Sequence, residues 1–184
     1  MSTGIILGIA AAFLVVAFLI WRTFGVGYFR ARGKRLVTCP ENEQTVAVEV
    51  DARHAALTGA TGRPHLRLTE CTRWPEKQGC GQQCLRQIEN SPDGCLVRNF
   101  VAEFYAGKAC VLCGRDLTEK DWLEHGPAFR APDRVTVEAR FVAAENLPEI
   151  LKTHSPVCWD CHIAETFRAK RPDLVVERPR PVSN

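Results

Sequence analysis

The sequence CVLCG at residues 110–114 and the sequence CWDCH at residues 158–162 decide how this chain folds and what it binds. Each contains a Cys-x-x-Cys pair, and together the pairs supply four sulfur ligands: Cys110, Cys113, Cys158 and Cys161. Two residues between paired cysteines let both sulfurs reach one ion, at a zinc–sulfur distance of about 2.3 Å. The spacing therefore predicts one ion held by four thiolates, with zinc as the expected metal.

The four sulfurs allow other cofactors besides zinc. Four cysteines also hold iron–sulfur clusters, so an electron-transfer protein with such clusters is one alternative. The second pair is followed by His162, and Cys-x-x-Cys-His is also the attachment sequence of c-type haem, in which His162 would be the axial ligand. The haem alternative leaves the first pair unexplained, because glycine and not histidine follows Cys113.

The first 21 residues predict a transmembrane helix. No charged side chain occurs between Met1 and Trp21, and the apolar run is long enough to cross about 30 Å of hydrocarbon. The alternative is a cleaved signal peptide. Against it, no Lys or Arg precedes the apolar run, and LIW at residues 19–21 is a poor cleavage site.

Basic residues follow the apolar run and predict its orientation. They are Arg22, Arg30, Arg32, Lys34 and Arg35. Because positive charge is retained on the cytoplasmic side, we expect a single-pass membrane protein with its N-terminus outside and its C-terminal domain in the cytoplasm. Residues 22–35 are expected to form a basic juxtamembrane linker. In a reducing compartment, cysteines favour metal binding over disulfides.

The remaining five of the nine cysteines lie between residues 36 and 107. We predict a second four-thiolate site here, made of Cys71, Cys80 and Cys84 with either Cys39 or Cys95 as the fourth ligand. The ninth cysteine would then be free. The alternative is that these cysteines pack as small hydrophobic side chains, as buried free cysteines commonly do.

Periodicity predicts an α+β fold behind the membrane helix. Alternating apolar residues indicate strands, and apolar stripes with helical spacing indicate helices. Strands are expected at residues 45–50, 66–68 and 135–141. Helices are expected at residues 51–58, 82–90, 96–104, 147–151 and 159–170.

A Cys-x-x-Cys-Gly knuckle, a strand-bearing insertion and a second Cys-x-x-Cys at a helix start together resemble the treble-clef and zinc-ribbon class of metal modules. The resemblance covers residues 108–171. It implies that Cys110 and Cys113 are knuckle ligands and that Cys158 and Cys161 are helix ligands of a closed structural zinc site. Residues 36–107 then form a separate cysteine-rich lobe, and residues 172–184 an extended tail.

These features favour a binding protein over an enzyme. We expect a non-enzymatic interaction or accessory subunit that binds the membrane and a protein partner, in a membrane complex. A net charge of +3 is too small to indicate a broad nucleic-acid-binding surface. The enzymatic alternatives are a thiol oxidoreductase that uses one Cys-x-x-Cys pair and a nuclease with His125 as base, near Asp121 and Glu124.

Overall fold

The computed structural model describes residues 3–77 and 79–175. The chain mixes helices with strands and divides into two compact units, Met1–Arg98 and Asn99–Asn184. The sequence places the boundary later, at residue 107. The division comes earlier because the end of helix α5 (Val97–Tyr105) belongs to the core of the second unit.

The first unit begins with a long helical segment. Its elements are α1 (Thr3–Ile20), a π-helical stretch (Trp21–Gly25) and α2 (Val26–Ala31). The apolar part of this segment is unburied, and it is long and apolar enough to cross a membrane. The sequence predicts a linker over residues 22–35, whereas the structure is helical through Ala31.

Arg35 stops this helical segment and is not a surface charge. Its guanidinium donates hydrogen bonds to the backbone oxygens of Arg30, Ala31 and Gly33, so it satisfies carbonyl groups that a helix C-terminus leaves unpaired. The side chain is only 2% exposed. The sequence predicts that Arg35 lies in the basic juxtamembrane linker, whereas the structure makes it a buried residue of the first strand.

A three-stranded antiparallel sheet forms the core of the first unit. Its strands are β1 (Arg35–Thr38), β2 (Thr45–Val50) and β3 (Leu68–Cys71), with β2 in the centre. Helices α3 (Ala52–Thr61) and α4 (Leu85–Asn90) complete the unit. Apolar side chains of the three strands pack with Ile88 of α4. The prediction for β2 is confirmed, while β3 starts two residues later than the predicted strand.

The second unit has its own three-stranded antiparallel sheet. Its strands are β4 (Ala128–Arg130), β5 (Thr136–Glu138) and β6 (Ser155–Val157), in the order β5-β4-β6. Its helices are α6 (Glu119–His125), α7 (Leu147–Thr153) and α8 (Trp159–Lys170). Short 3₁₀ helices cover Ala139–Phe141, Ala144–Asn146 and Pro172–Leu174. Of the predicted tail, residues 176–184 lie outside the described residues.

An aromatic cluster forms the core of this unit. Phe129 in the central strand is fully buried, and its ring centroid lies 5.6 Å from that of Phe104 and 6.3 Å from that of Tyr105. The Tyr105 hydroxyl accepts a hydrogen bond from the Ala128 backbone N–H and donates one to the Ala128 carbonyl. Helix α5 is therefore fixed to β4 by packing and by hydrogen bonds.

The predicted strand over residues 135–141 is wrong in its second half. The Ala139 N–H bonds to the Pro127 carbonyl, and the Val142 N–H bonds back to the Ala139 carbonyl, so the chain turns after Glu138. Phe141 is consequently 73% exposed and takes no part in the core.

Candidate metal centre

The first Cys-x-x-Cys pair lies in a tight knuckle. An antiparallel bridge joins Ala109 to Asp116, and the Cys110 N–H donates to the Arg115 carbonyl at 2.8 Å. The Gly114 N–H donates to the Cys110 carbonyl, also at 2.8 Å. Gly114 has a φ of +75°, a left-handed conformation that glycine adopts without the strain of a Cβ atom. The sequence Cys-x-x-Cys-Gly therefore closes the loop that holds both sulfurs.

The second pair lies where β6 ends and α8 begins. Cys158 is the residue before the helix, and Cys161 lies in its first turn. The N–H groups of a first helical turn have no partner within the helix and favour negative charge nearby. The Val111 N–H donates to the Pro156 carbonyl at 3.1 Å, so backbone hydrogen bonding joins the knuckle to the strand that carries the second pair.

The four sulfurs come together although 44 residues (114–157) separate the two pairs. The Sγ atoms of Cys110, Cys113, Cys158 and Cys161 all lie within 4.8 Å of one another. Cys113 Sγ and Cys158 Sγ are 3.7 Å apart. A tetrahedral ion with metal–sulfur bonds of about 2.3 Å has sulfur–sulfur edges of about 3.8 Å. The four cysteines are therefore close enough together to hold a metal ion.

The thiols of this group have different pKa values, because burial and hydrogen bonds affect each of them differently. Desolvation raises the pKa of Cys110, but N–H groups of Cys158, Cys113 and Leu112 outweigh it and bring this pKa to about 7. Desolvation raises the pKa of Cys158 and of Cys161, and hydrogen bonds to neighbouring thiols raise that of Cys161 further. Four adjacent thiolates repel one another, so a bound cation is what would let all four ionise together.

His162 is buried beside the cluster and is only 4% exposed. Its Nδ1 lies 2.9 Å from the Thr136 hydroxyl, and its Nε2 lies 3.4 Å from a carboxylate oxygen of Glu138. Both partners are on β5. Sequence reasoning missed them, although their spacing of two residues places them on one face of a strand. They fix the imidazole that follows Cys161.

The ring of His125, the candidate catalytic base, lies against Trp159 of α8. Its ring stacks on the indole of Trp159, with centroids 5.8 Å apart and an angle of 16° between the planes. Trp159 in turn lies next to the His162 ring, at 5.4 Å between centroids. The side chain of Asp121 is outside the described residues, so the predicted nuclease grouping with His125 stays a prediction.

Four of the five cysteines in the first unit line one pocket: Cys39, Cys71, Cys80 and Cys84. Desolvation raises the pKa of Cys84, and the charges of the other three thiols raise it further. Desolvation also raises the pKa of Cys39, but the Glu41 backbone N–H and the Arg73 guanidinium outweigh it and lower this pKa. Cys95 does not line the pocket, and its sulfur faces the Gln87 carbonyl at 3.8 Å.

Comparison with known proteins finds no matching family model, no similar curated protein and no similar solved structure. The resemblance to the treble-clef class therefore stays a prediction. What the structure provides is a group of four cysteines that could hold a metal ion and an N-terminal helix that could cross a membrane.

Proposed function

We propose that this protein is a membrane-anchored, non-enzymatic zinc-binding protein whose cytoplasmic domain acts as an accessory subunit for a protein partner. The observation on which the proposal depends is the meeting of the four Sγ atoms within 4.8 Å. The zinc would be bound by Cys110, Cys113, Cys158 and Cys161, and it would hold the knuckle and α8 together. A zinc ion with four protein ligands has no open coordination position, as in structural and not catalytic sites.

The sulfur separations favour one ion over an iron–sulfur cluster. A cluster divides its four cysteines between irons, in pairs or singly, so some of their sulfurs lie farther apart than the 4.8 Å within which all four lie here. The distance of 3.7 Å between the Cys113 and Cys158 sulfurs suits a single tetrahedral ion.

The same packing argues against attached haem. Thioether bonds from Cys158 and Cys161 to a porphyrin would need space that the sulfurs of the first pair occupy. The imidazole of His162, which would have to bind the haem iron, is buried against Thr136 and Glu138.

The membrane part of the proposal rests on the apolar helix and the charges that follow it. The helical segment Ile6–Ala31 has the length and composition of a membrane span. The uncharged part of this segment ends at Trp21. Four basic residues besides the buried Arg35 follow it, and this asymmetry favours a cytoplasmic domain: Arg22, Arg30, Arg32 and Lys34.

An exposed apolar pair on α8 supports a role in protein binding. Ile163 and Phe167 lie one helical turn apart, and about half of each side chain is exposed to solvent. Their helix begins at the proposed zinc ligands, so the metal would also fix the position of this surface.

Metal analysis of the full chain tests the proposed zinc site. We expect protein purified anaerobically in detergent micelles to contain tightly bound zinc. The double variant Cys110→Ser, Cys113→Ser should lose one equivalent, and the matched variant Cys95→Ser should keep the wild-type content. The proposal would be contradicted if the protein contained iron with sulfide, haem iron or no metal. It would also be contradicted if the double variant kept the wild-type zinc content.

The proposed orientation predicts where the C-terminus lies. A fluorescent protein fused after Asn184 should fluoresce in bacterial cells, whereas alkaline phosphatase at the same position should be inactive, because that enzyme needs an oxidising compartment. The same two fusions made to a protein of known opposite orientation serve as the control. Active phosphatase on this chain would place the cysteines outside the cytoplasm.

A further inference from the structure

A second group of cysteines lies in the first unit, around one pocket, although among the described residues only Cys110, Cys113, Cys158 and Cys161 already have their sulfurs close enough to hold an ion. Cys39 follows the last residue of β1, and Cys71 is the last residue of β3. Both strands pair antiparallel with β2, where Thr38 lies opposite Thr45 and Cys71 lies opposite Val48. Cys39 therefore lies beyond the Thr45 end of β2 and Cys71 lies opposite its middle, and both residues line the same pocket.

The loop between β3 and α4 adds two more thiols. Cys80 lies in this loop, and Cys84 is the residue directly before α4. All four sulfur-bearing residues line one pocket. We propose that Cys39, Cys71, Cys80 and Cys84 bind a second metal ion, a thiolate-preferring divalent cation such as zinc, and that Cys95 is not a ligand.

Basic side chains at the pocket suit such an ion. Four thiolates around a divalent cation have a formal charge of about −2, which nearby cations stabilise. Arg73 Nη1 lies 2.9 Å from the Cys39 sulfur, and both Arg73 and Lys77 line the pocket. Glu41 lies 3.3 Å from each of these two cations and holds them at the pocket edge.

Trp74 provides an independent indication of a missing acceptor. Its indole Nε1 is buried and has no hydrogen-bond partner among the residues that the structure describes. Trp74 also lines the cysteine pocket. A buried N–H without a partner destabilises the fold, and a metal-bound thiolate is a strong acceptor for such a group.

The loop that carries Cys80 has no regular secondary structure. Residues 72–84 contain no helix or strand among the described positions. Gln82 accepts a hydrogen bond from the Leu68 N–H at 3.0 Å, Arg73 contacts Cys39 and Glu41, and Trp74 packs against the core, so side chains attach this loop to the unit. An ion bound to Cys80 and Cys84 would fix both its middle and its end.

Cys95 offers the matched control for this site. It belongs to the same unit, and it is partly buried and packs against the apolar core as Cys39 and Cys71 do, but it does not line the pocket. Its sulfur is 3.8 Å from the Gln87 carbonyl, and its own carbonyl accepts a hydrogen bond from Leu36. This residue is therefore the ninth, unliganded cysteine.

Zinc content of the full chain in detergent micelles tests the second site separately from the first. We expect about two equivalents in the wild type and in Cys95→Ser, and about one in Cys39→Ser. The double variant Cys110→Ser, Cys113→Ser should also keep about one. If the wild type holds one ion that Cys39→Ser retains and the double variant loses, the second site is wrong and the proposed function stands. If the wild type holds one ion that the double variant retains and Cys39→Ser loses, the second site stands and only the proposed function fails.

Cysteine labelling of the wild type needs no substitution and covers the case in which Cys39→Ser does not fold. With zinc bound, a small maleimide should leave Cys39, Cys71, Cys80 and Cys84 unmodified. After treatment with a strong chelator, mass spectrometry should find all four labelled together. Labelling of Cys39 or Cys80 before chelation, at the rate of the denatured chain, would overturn the second site.

Discussion

Replacing Cys158 with serine is expected to unfold the second unit. Cys158 is 1% exposed, precedes α8 and lies 3.7 Å from the sulfur of Cys113. Binding of zinc to small structural sites contributes about 10–16 kcal/mol at neutral pH, and a whole domain is stable by only about 5–15 kcal/mol. Loss of one buried ligand therefore removes a contribution as large as the total stability.

Hydrogen exchange measured residue by residue is the suitable readout for this variant. Amide groups of α8 and of the knuckle should lose their protection in Cys158→Ser and keep it in Cys95→Ser. Chelation of the wild type should have the same effect as Cys158→Ser, and added zinc should reverse it. If α8 in Cys158→Ser stays as protected as in the wild type, the metal does not hold this unit together.

Replacing Phe129 with alanine is expected to destabilise the second unit by about 3–5 kcal/mol, since the cavity left in a packed core adds to the lost burial. Phe129 is 0% exposed, lies in the central strand and contacts the rings of Phe104 and Tyr105. Neighbours held by strand pairing and by the Tyr105 hydroxyl cannot collapse fully into the space.

Phe141→Ala is the matched control, because it removes the same side chain from a site that is 73% exposed. It should change the free energy of unfolding by no more than about 0.5 kcal/mol. Urea unfolding of the zinc-loaded full chain, followed by hydrogen exchange of the second unit, measures both variants. Equal losses in the two would show that the aromatic cluster is not the core.

Helices and strands could be predicted where the sequence contains both a periodic apolar pattern and residues that end the element. Helix α8 matches its predicted bounds, Trp159–Lys170, because cysteine precedes it and Pro172 follows it. Strand β2 likewise has alternating valines over its whole length. Strands β4 and β6 were missed, since three residues are too few to show a period and these strands are defined by their pairing within the sheet.

For the candidate sites, too, local spacing could be predicted from the sequence and long-range contacts could not. The Cys-x-x-Cys spacing predicted which cysteines form pairs, because ligands two residues apart are placed by the local backbone alone. The sequence left Cys39 and Cys95 as equal candidates for the first unit. The tertiary structure places Cys39 and Cys71 in one pocket that Cys95 does not line, and the Cys95 sulfur faces the Gln87 carbonyl instead.

The sequence by itself determined the apolar N-terminal helix, the two cysteine pairs and the helix that starts at the second pair. Each depends on residues within a few positions of one another, whose spacing fixes their geometry. The tertiary structure decided that the two pairs meet, that Arg35 is buried and that His162 faces Thr136 and Glu138. The contacts of the cysteine pairs and of His162 join segments far apart in the chain. Which segments pair depends on how whole strands and helices bury their apolar faces, not on local spacing.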